Sequence, residues 1–354
     1  MGKSRRVMHR AGGAAVLSAL VALGGCAIHP RQDPGTVRIR SGDEDVAPPA
    51  TRLTAHYVPY AILAAEAYRD VDPQGGFTKR RVGGPIVYDT PATTAAVARW
   101  MKPWRFEGGE MGPLCDGPKP CGLAGLEYQI WTHRRRDGSC DEAAVVFRGT
   151  DSSSFSDWMS NLHWVVRLTS INDQYEQVQT KLDAIIAERV RPLCPSRSAR
   201  IVAVGHSLGG GLAQQAAFMS RDIRHVYAFD PSFVTGSTDR HSRTEDTRFG
   251  LKIDRVYEHG EILAYPRFVW RMIEQPTPCD PQIRTVRLNG LEGSMFAQHR
   301  IRAYVGQLVK AHPSPVSPPV GEAEIPRTPD AQKVAHRCSE ITGVFERADG
   351  SVRR

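Results

Sequence analysis

The sequence lacks the features that would place it among metal-binding, nucleic-acid-binding or repeat proteins. No Cys-x-x-Cys or paired-histidine spacing predicts a metal site, and no internal repeat runs along the chain. Basic residues do not cluster with aromatic ones. Half of the formal charge of +8 comes from Lys3, Arg5, Arg6 and Arg10, which no acidic residue offsets. The remaining excess is too slight to indicate nucleic-acid binding, and we expect no metal, cofactor or nucleic-acid partner.

The apolar run near the N-terminus is too short to be a membrane span. It covers Ala11 to Leu23 and follows a basic stretch, which is the pattern of a secretory signal. The run ends in Leu-Gly-Gly-Cys26, which resembles a bacterial lipobox, in which Cys26 would be diacylated and become the new N-terminus. An ordinary signal peptide with an incidental cysteine is the alternative. We therefore expect a signal peptide over residues 1–25 and an exported protein, lipid-anchored in the periplasm or outer membrane.

Cysteine is scarce, and its number fits export. Apart from Cys26 the chain has six cysteines, an even number that permits up to three disulfides in an oxidising compartment. Cys115 and Cys121 flank a turn rich in glycine and proline and are the favoured pair. The other four allow three pairings, among which the sequence does not choose: Cys140, Cys194, Cys279 and Cys338.

The length of 354 residues suits one large α/β domain with a leader and a tail. The polar, proline-spotted residues 26–50 predict a flexible tether, residues 51–311 the folded domain, and residues 312–354 a proline-rich, extended tail. Residues 103–125, rich in glycine and proline, predict a surface insertion.

Within the domain, strand-like and helix-like segments alternate. Pro59 opens a helical pattern with one apolar face, a hairpin turns at Asp137-Gly138, and Asp173 caps a long amphipathic helix. The later strand-like segments are Arg200–Val204, His225–Phe229, Ile253–Tyr257 and Ile283–Leu288, and a last helix carries the stripe Ile301, Tyr304, Val305 and Leu308. The alternation predicts an α/β fold with a mostly parallel sheet covered by helices.

The most informative motif is Gly205-His-Ser207-Leu-Gly209, between an apolar strand and a helix-forming stretch. A Gly-x-Ser-x-Gly turn in this context exposes the serine on a strained corner, and the glycines avoid clashes with the neighbouring strand and helix. A glycine-rich turn that only packs a helix on a sheet is the alternative. We predict that Ser207 is a nucleophile.

A serine nucleophile needs a base, an orienting acid and donors for the oxyanion. His299 follows the last predicted strand and is our candidate base, with a solvated helix cap as the alternative. Glu261, after the strand Ile253–Tyr257, is the favoured acid, and Asp230 is the other contender. The backbone N–H of Leu208, the residue after the nucleophile, is one expected oxyanion donor.

The second oxyanion donor is expected in the loop after an earlier strand. Phe147-Arg-Gly149-Thr150 is the candidate, because Gly149 permits a close turn and Thr150 offers both its N–H and its hydroxyl.

The motifs around these residues together resemble the class 3, fungal-type lipase family. They are Val145-Val-Phe-Arg-Gly-Thr150, Asp157-Trp158-x-x-Asn161-Leu162 and Gly205-His-Ser-Leu-Gly-Gly210. The likeness runs from about Tyr60 to Tyr304 and implies an α/β-hydrolase fold, ester hydrolysis, and the roles given above for Ser207, Leu208 and Thr150. The chain departs from the family after Phe229, and Glu261 stands where the family usually has aspartate.

An apolar stripe at helical spacing follows the oxyanion loop and includes Phe155, Trp158 and Leu162. In the family this position holds a lid helix over the serine, so the resemblance implies a lid or acyl contact. A face packed on the core is the alternative.

These observations predict a lipid-anchored serine hydrolase that cleaves carboxylic esters of lipids, an acylglycerol lipase, through an acyl-enzyme on Ser207. A phospholipase A1 or a short-chain carboxylesterase is equally compatible. A protein of another class, an inactive lipoprotein that uses the fold as a binding module, is the remaining alternative.

Overall fold

The computed structural model describes residues 37–41, 44–46, 54–68, 88, 90–110, 126–149, 168–232, 235, 251–264, 282–316, 345–346 and 352–353. Several residues singled out by the sequence lie outside these ranges: Cys26, Cys115, Cys121, Thr150, Phe155, Trp158, Leu162, Cys279 and Cys338.

A nine-stranded sheet organises the described residues, in the order β2-β1-β9-β8-β7-β6-β5-β4-β3. The strands are β1 (Val37–Ser41), β2 (Glu44–Val46), β3 (Trp104–Glu110), β4 (Tyr128–Arg134), β5 (Cys140–Phe147), β6 (Arg200–His206), β7 (Ile223–Phe229), β8 (Lys252–Glu258) and β9 (Gln282–Leu288). Strands β5 to β9 pair in parallel. The outer strands pair antiparallel. The sheet is therefore mostly parallel, as predicted, and β5 and β6 bury apolar side chains on both of its faces because helices cover both.

Helices cover the two faces of the sheet. The first face carries α1 (Val58–Glu66), α2 (Pro91–Met101) and α6 (Ile301–Ala311), and the second carries α3 (Leu168–Ala184, continued by a π-helix over Ile185–Val190) and α4 (Leu208–Met219). The short helix α5 (Met295–Gln298) precedes α6. Among the described helices, none combines the length and apolar character needed to cross a bilayer.

Helix α1 differs from the amphipathic helix that the sequence predicted. Pro59 lies in its first turn, as expected, but nearly every side chain of α1 is buried, including the acidic Glu66. The helix is therefore enclosed on all sides rather than lying on the surface. Helix α6 buries the predicted stripe.

Three sequence predictions about segments are wrong where the structure describes them. Residues 37–41 and 44–46 are not a flexible tether, because β1 pairs with β9 and β2 pairs with β1. Residues 104–110 are not a surface insertion but the edge strand β3, paired with β4. The long helix begins at Leu168, so Asp173 lies inside it and does not cap it.

The two cysteines described by the structure form a disulfide, Cys140–Cys194. It joins the start of β5 to the segment after the π-helix. The sequence had left this pairing open among three possibilities. The proline-rich tail begins at His312, whose carbonyl accepts a hydrogen bond from Trp100 of α2. Farther along, β10 (Phe345–Glu346) and β11 (Val352–Arg353) pair as a separate ribbon.

Candidate active site

Ser207 occupies a strained turn between β6 and α4. Its φ of 57° and ψ of −125° are unusual for a residue with a side chain. Neighbouring glycines make the turn possible, because a Cβ on Gly205 would overlap the carbonyl oxygen of Gly209 and one on Gly209 would overlap that of Phe147. The N–H of Ser207 donates to the carbonyl of Phe229 at 3.0 Å, which ties the turn to β7. This is the strand–turn–helix geometry that the motif predicted.

The structure brings Ser207, His299 and Glu261 together. His299 lies between α5 and α6, and its Nε2 is 3.1 Å from the Oγ of Ser207. Its Nδ1 is 2.8 Å from the Oε2 of Glu261. All three residues are buried. In a neutral imidazole, Nδ1–H donates to the carboxylate and Nε2 accepts the serine hydroxyl, so the serine proton has an acceptor in place.

Of the two candidate acids, Glu261 is the one whose carboxylate oxygen lies at hydrogen-bonding distance, 2.8 Å, from the ring of His299. Its Oε2 also accepts the N–H of Leu263 at 2.8 Å, which fixes the carboxylate. Asp230 is equally buried, but its Oδ1 accepts the N–H of Glu258 at 3.0 Å and its Oδ2 lies 4.0 Å from the Nε2 of His206. With its φ of 39°, Asp230 connects the ends of two neighbouring strands rather than orienting the base.

The loop that carries His299 is held by Glu258, a residue that the sequence did not single out. Its Oε1 accepts the N–H groups of Gly290 and Leu291 at 2.6 and 2.9 Å. Burial raises the pKa of this carboxyl, and the two backbone hydrogen bonds oppose the rise. Glu258 ends β8 three residues before Glu261, so the acid loop and the histidine loop are joined directly.

Two of the residues that the sequence places at the oxyanion hole, Gly149 and Leu208, are described by the structure. Leu208 begins α4, where backbone N–H groups have no partner within the helix. Gly149 approaches the nucleophile turn so closely that a Cβ on it would lie 2.5 Å from the carbonyl oxygen of His206. Thr150 follows directly but lies outside the described residues, as do the lid candidates Phe155, Trp158 and Leu162.

One group of potential metal ligands occurs among the described residues. His206, Asp230 and His299 each place a ligand atom within 4.8 Å of the others. Both ring nitrogens of His299 already face Ser207 and Glu261. The arrangement is therefore that of a proton-transfer triad rather than an open metal site.

Comparison with known proteins gives one family match. Residues 60–230 match the family model described as phospholipase-like, a Tle-like phospholipase domain. No curated protein matches the chain.

Several solved esterase structures are distantly similar. One is a thermostable esterase from Pseudomonas putida, 12% identical with a TM-score of 0.32, the match covering 71% of this chain and 94% of that one. Another is a hyperthermophilic esterase from Pyrobaculum calidifontis, 13% identical with a TM-score of 0.33, covering 71% and 88%. A third is an esterase from Pyrococcus furiosus, 10% identical with a TM-score of 0.28, covering 52% and 86%.

Fold and site together define an α/β-hydrolase. A mostly parallel sheet has helices on both faces, a serine on the turn after the inner strand β6, and a histidine after β9. With the phospholipase-like match, this arrangement indicates a carboxylic ester hydrolase.

Proposed function

We propose that this protein is a serine hydrolase that cleaves carboxylic esters of lipids through an acyl-enzyme on Ser207. The observation that carries the proposal is the placement of His299 between Ser207 and Glu261, at 3.1 and 2.8 Å. Three residues from separate loops meet in the order and geometry of a triad, on a turn that holds the nucleophile strained.

The reaction follows from the positions of the protons. His299 takes the hydroxyl proton as the Oγ of Ser207 attacks the ester carbonyl carbon, and Glu261 stabilises the resulting imidazolium. The N–H of Leu208 and the Thr150 donor hold the oxyanion. His299 then gives its proton to the departing alcohol, and a water molecule activated in the same way releases the fatty acid.

Phospholipids are the favoured substrate class, because the family match is to a phospholipase-like domain. Acylglycerol hydrolysis and membership of the class 3 lipase family stay predictions.

The proposal predicts that a fluorophosphonate probe labels Ser207 and that Ser207→Ala abolishes both labelling and p-nitrophenyl ester hydrolysis. Labelling is read by mass spectrometry of the modified peptide. A folded wild-type protein that is neither labelled nor active would leave the binding-module alternative. A panel of phospholipid vesicles, triacylglycerol emulsion and a soluble short-chain ester then separates phospholipase, lipase and esterase by their relative rates.

A further inference from the structure

Two side chains outside the triad, Tyr68 and His206, lie where the three catalytic loops meet. The Tyr68 hydroxyl is 2.8 Å from the Nδ1 of His206, and the Nε2 of His206 is 2.9 Å from the carbonyl oxygen of His299. Both side chains are buried, and the rings of His206 and His299 are 4.8 Å apart. A hydrogen-bonded path therefore leads from the end of α1 to the backbone of the proposed base.

The partners determine the direction of each hydrogen bond. A carbonyl oxygen only accepts, so the Nε2 of His206 must carry a proton and donate to His299. In a neutral imidazole Nδ1 is then an acceptor, and the Tyr68 hydroxyl donates to it. A second acceptor near that hydroxyl, the carbonyl of His206, is farther away at 3.5 Å. The tyrosine thus selects the tautomer of His206 that binds His299.

The same hydroxyl also contacts the oxyanion loop. A Cβ on Gly149 would lie 2.5 Å from it, so the loop packs directly against Tyr68. The guanidinium of Arg148 lies 5.9 Å from the centre of the Tyr68 ring and pairs with Glu127 at 2.8 Å. The ring is therefore held between the loop and the nucleophile strand.

We propose that Tyr68 and His206 are positioning residues for ester hydrolysis. Tyr68 fixes the tautomer of His206, and His206 holds the backbone of His299 so that its Nε2 stays within reach of Ser207. This inference rests on the triad of the proposed function. Without the Tyr68 hydroxyl, His206 can take the other tautomer, in which a lone pair on Nε2 faces the carbonyl oxygen of His299. The two repel, and the base moves.

The first test compares Tyr68→Phe with Tyr60→Phe in the full-length protein. Tyr60 is a matched control because it lies on α1, which ends two residues before Tyr68, and also donates a buried hydrogen bond, to Glu142 at 2.9 Å, near the opposite end of β5. Tyr68→Phe is expected to lower kcat on a soluble p-nitrophenyl ester about tenfold with KM unchanged, since small misplacements of a catalytic group slow the chemical step. Tyr60→Phe should change kcat less than about twofold, whatever it does to the unfolding temperature.

A second test asks whether Tyr68 acts through His206. In a double-mutant cycle, Tyr68→Phe should have no further effect on kcat in a His206→Phe background. His206→Gln keeps an amide donor near the position of Nε2 and should retain more activity than His206→Phe. If His206→Phe does not fold, the rates of fluorophosphonate labelling of Tyr68→Phe and His206→Gln are compared with the wild type. The inference requires Tyr68→Phe to be labelled more slowly than the wild type.

Two results would overturn the inference: activation free energies that add for Tyr68→Phe and His206→Phe in the double mutant, or a loss of kcat in Tyr60→Phe equal to that in Tyr68→Phe. Wild-type labelling separates its failure from that of the proposed function. If the wild-type protein is not labelled, the proposed function itself fails. If the wild type is labelled and Tyr68→Phe is labelled and turns over ester at the same rates, only the positioning role fails.

Discussion

Glu261 shares one carboxylate oxygen between the ring of His299 and the backbone of its own loop. Because Oε2 accepts from both Nδ1 of His299 and the N–H of Leu263, the carboxylate cannot turn without losing two hydrogen bonds. A glutamate has one more rotatable bond than the aspartate usual in the resembled family. The second hydrogen bond removes that freedom, and the longer acid is held as firmly as a shorter one would be.

We expect Glu261→Gln to lower kcat on the order of a thousandfold, because a neutral amide does not stabilise the imidazolium that forms on His299. Asp230→Asn is the control, since asparagine can keep the hydrogen bond to the N–H of Glu258 and should lose less than about tenfold. Turnover of a soluble ester and the unfolding temperature are measured for both. A greater loss in Asp230→Asn would return the role of the acid to Asp230.

Sequence reasoning reached the residues that chain order and motif spacing define, and missed those that only packing defines. Ser207, His299 and Glu261 each follow a recognisable strand. Tyr68 falls on the apolar face of the helical pattern that Pro59 opens, which predicts burial but no role, and its partner His206 is 138 residues away. A tyrosine on a buried face is the one available signal, because its hydroxyl needs a partner there.

At the scale of elements, the turn between β6 and α4 depends on close contacts between backbone segments. The carbonyl of Ser207 accepts the N–H of Ser232 at 2.8 Å, in the loop after β7, besides N–H groups of α4. The helix can approach β5 only because Gly209 has no side chain. The close backbone contacts that the glycines allow therefore determine both the position of α4 over the sheet and the strained backbone of Ser207.

We predict that Gly205→Ala lowers the free energy of unfolding by about 1–3 kcal/mol and slows labelling of Ser207, because its Cβ would overlap backbone that cannot move cheaply. Gly306→Ala is the matched control. Gly306 lies within α6 with nothing within 4 Å of an added Cβ, so alanine should raise the free energy of unfolding by about 0.5–1 kcal/mol. Urea unfolding measures both. Equal effects at the two positions would contradict the packing argument.

The elements that sequence patterns missed are those whose composition conflicts with their structure. Strand β3 contains Gly108 and Gly109, with a bulge where the register shifts, and follows Pro103, all of which are typical of a loop. This segment is a strand because its backbone pairs with β4 at the edge of the sheet. Strands β5 and β6 were predictable because burial on both faces leaves uninterrupted apolar runs in them. Strands β8 and β9 alternate apolar with charged or polar residues, which is also typical of strands.

At the scale of the whole molecule, the Cys140–Cys194 disulfide supports the proposal of export, because such bonds persist in oxidising compartments. Composition and alternation predicted one α/β domain. The domain's first boundary was not predictable, since β1 and β2 come from a polar segment that gains its structure by pairing with β9.

We propose, further, that Cys26 is diacylated. Cys26→Ser or treatment with globomycin should then move the protein from the membrane pellet to the soluble fraction of a bacterial host, or leave it as unprocessed precursor. Intact mass of the purified protein is the direct measurement. A wild-type mass that lacks the lipid would return Cys26 to an ordinary signal sequence.

The position of β1 also limits the distance between the folded domain and a bilayer to which the chain is anchored. If Cys26 carries the proposed lipid, only eleven residue steps separate it from Val37, which pairs with Leu288 of β9. Fully extended, eleven steps span at most about 36–40 Å, somewhat more than the diameter of about 30 Å of a small domain. The anchor would then hold the enzyme close to the bilayer, so that the lipids of its own membrane are present at a high effective concentration. Lipids of a second membrane would be within reach only where the two membranes lie close together.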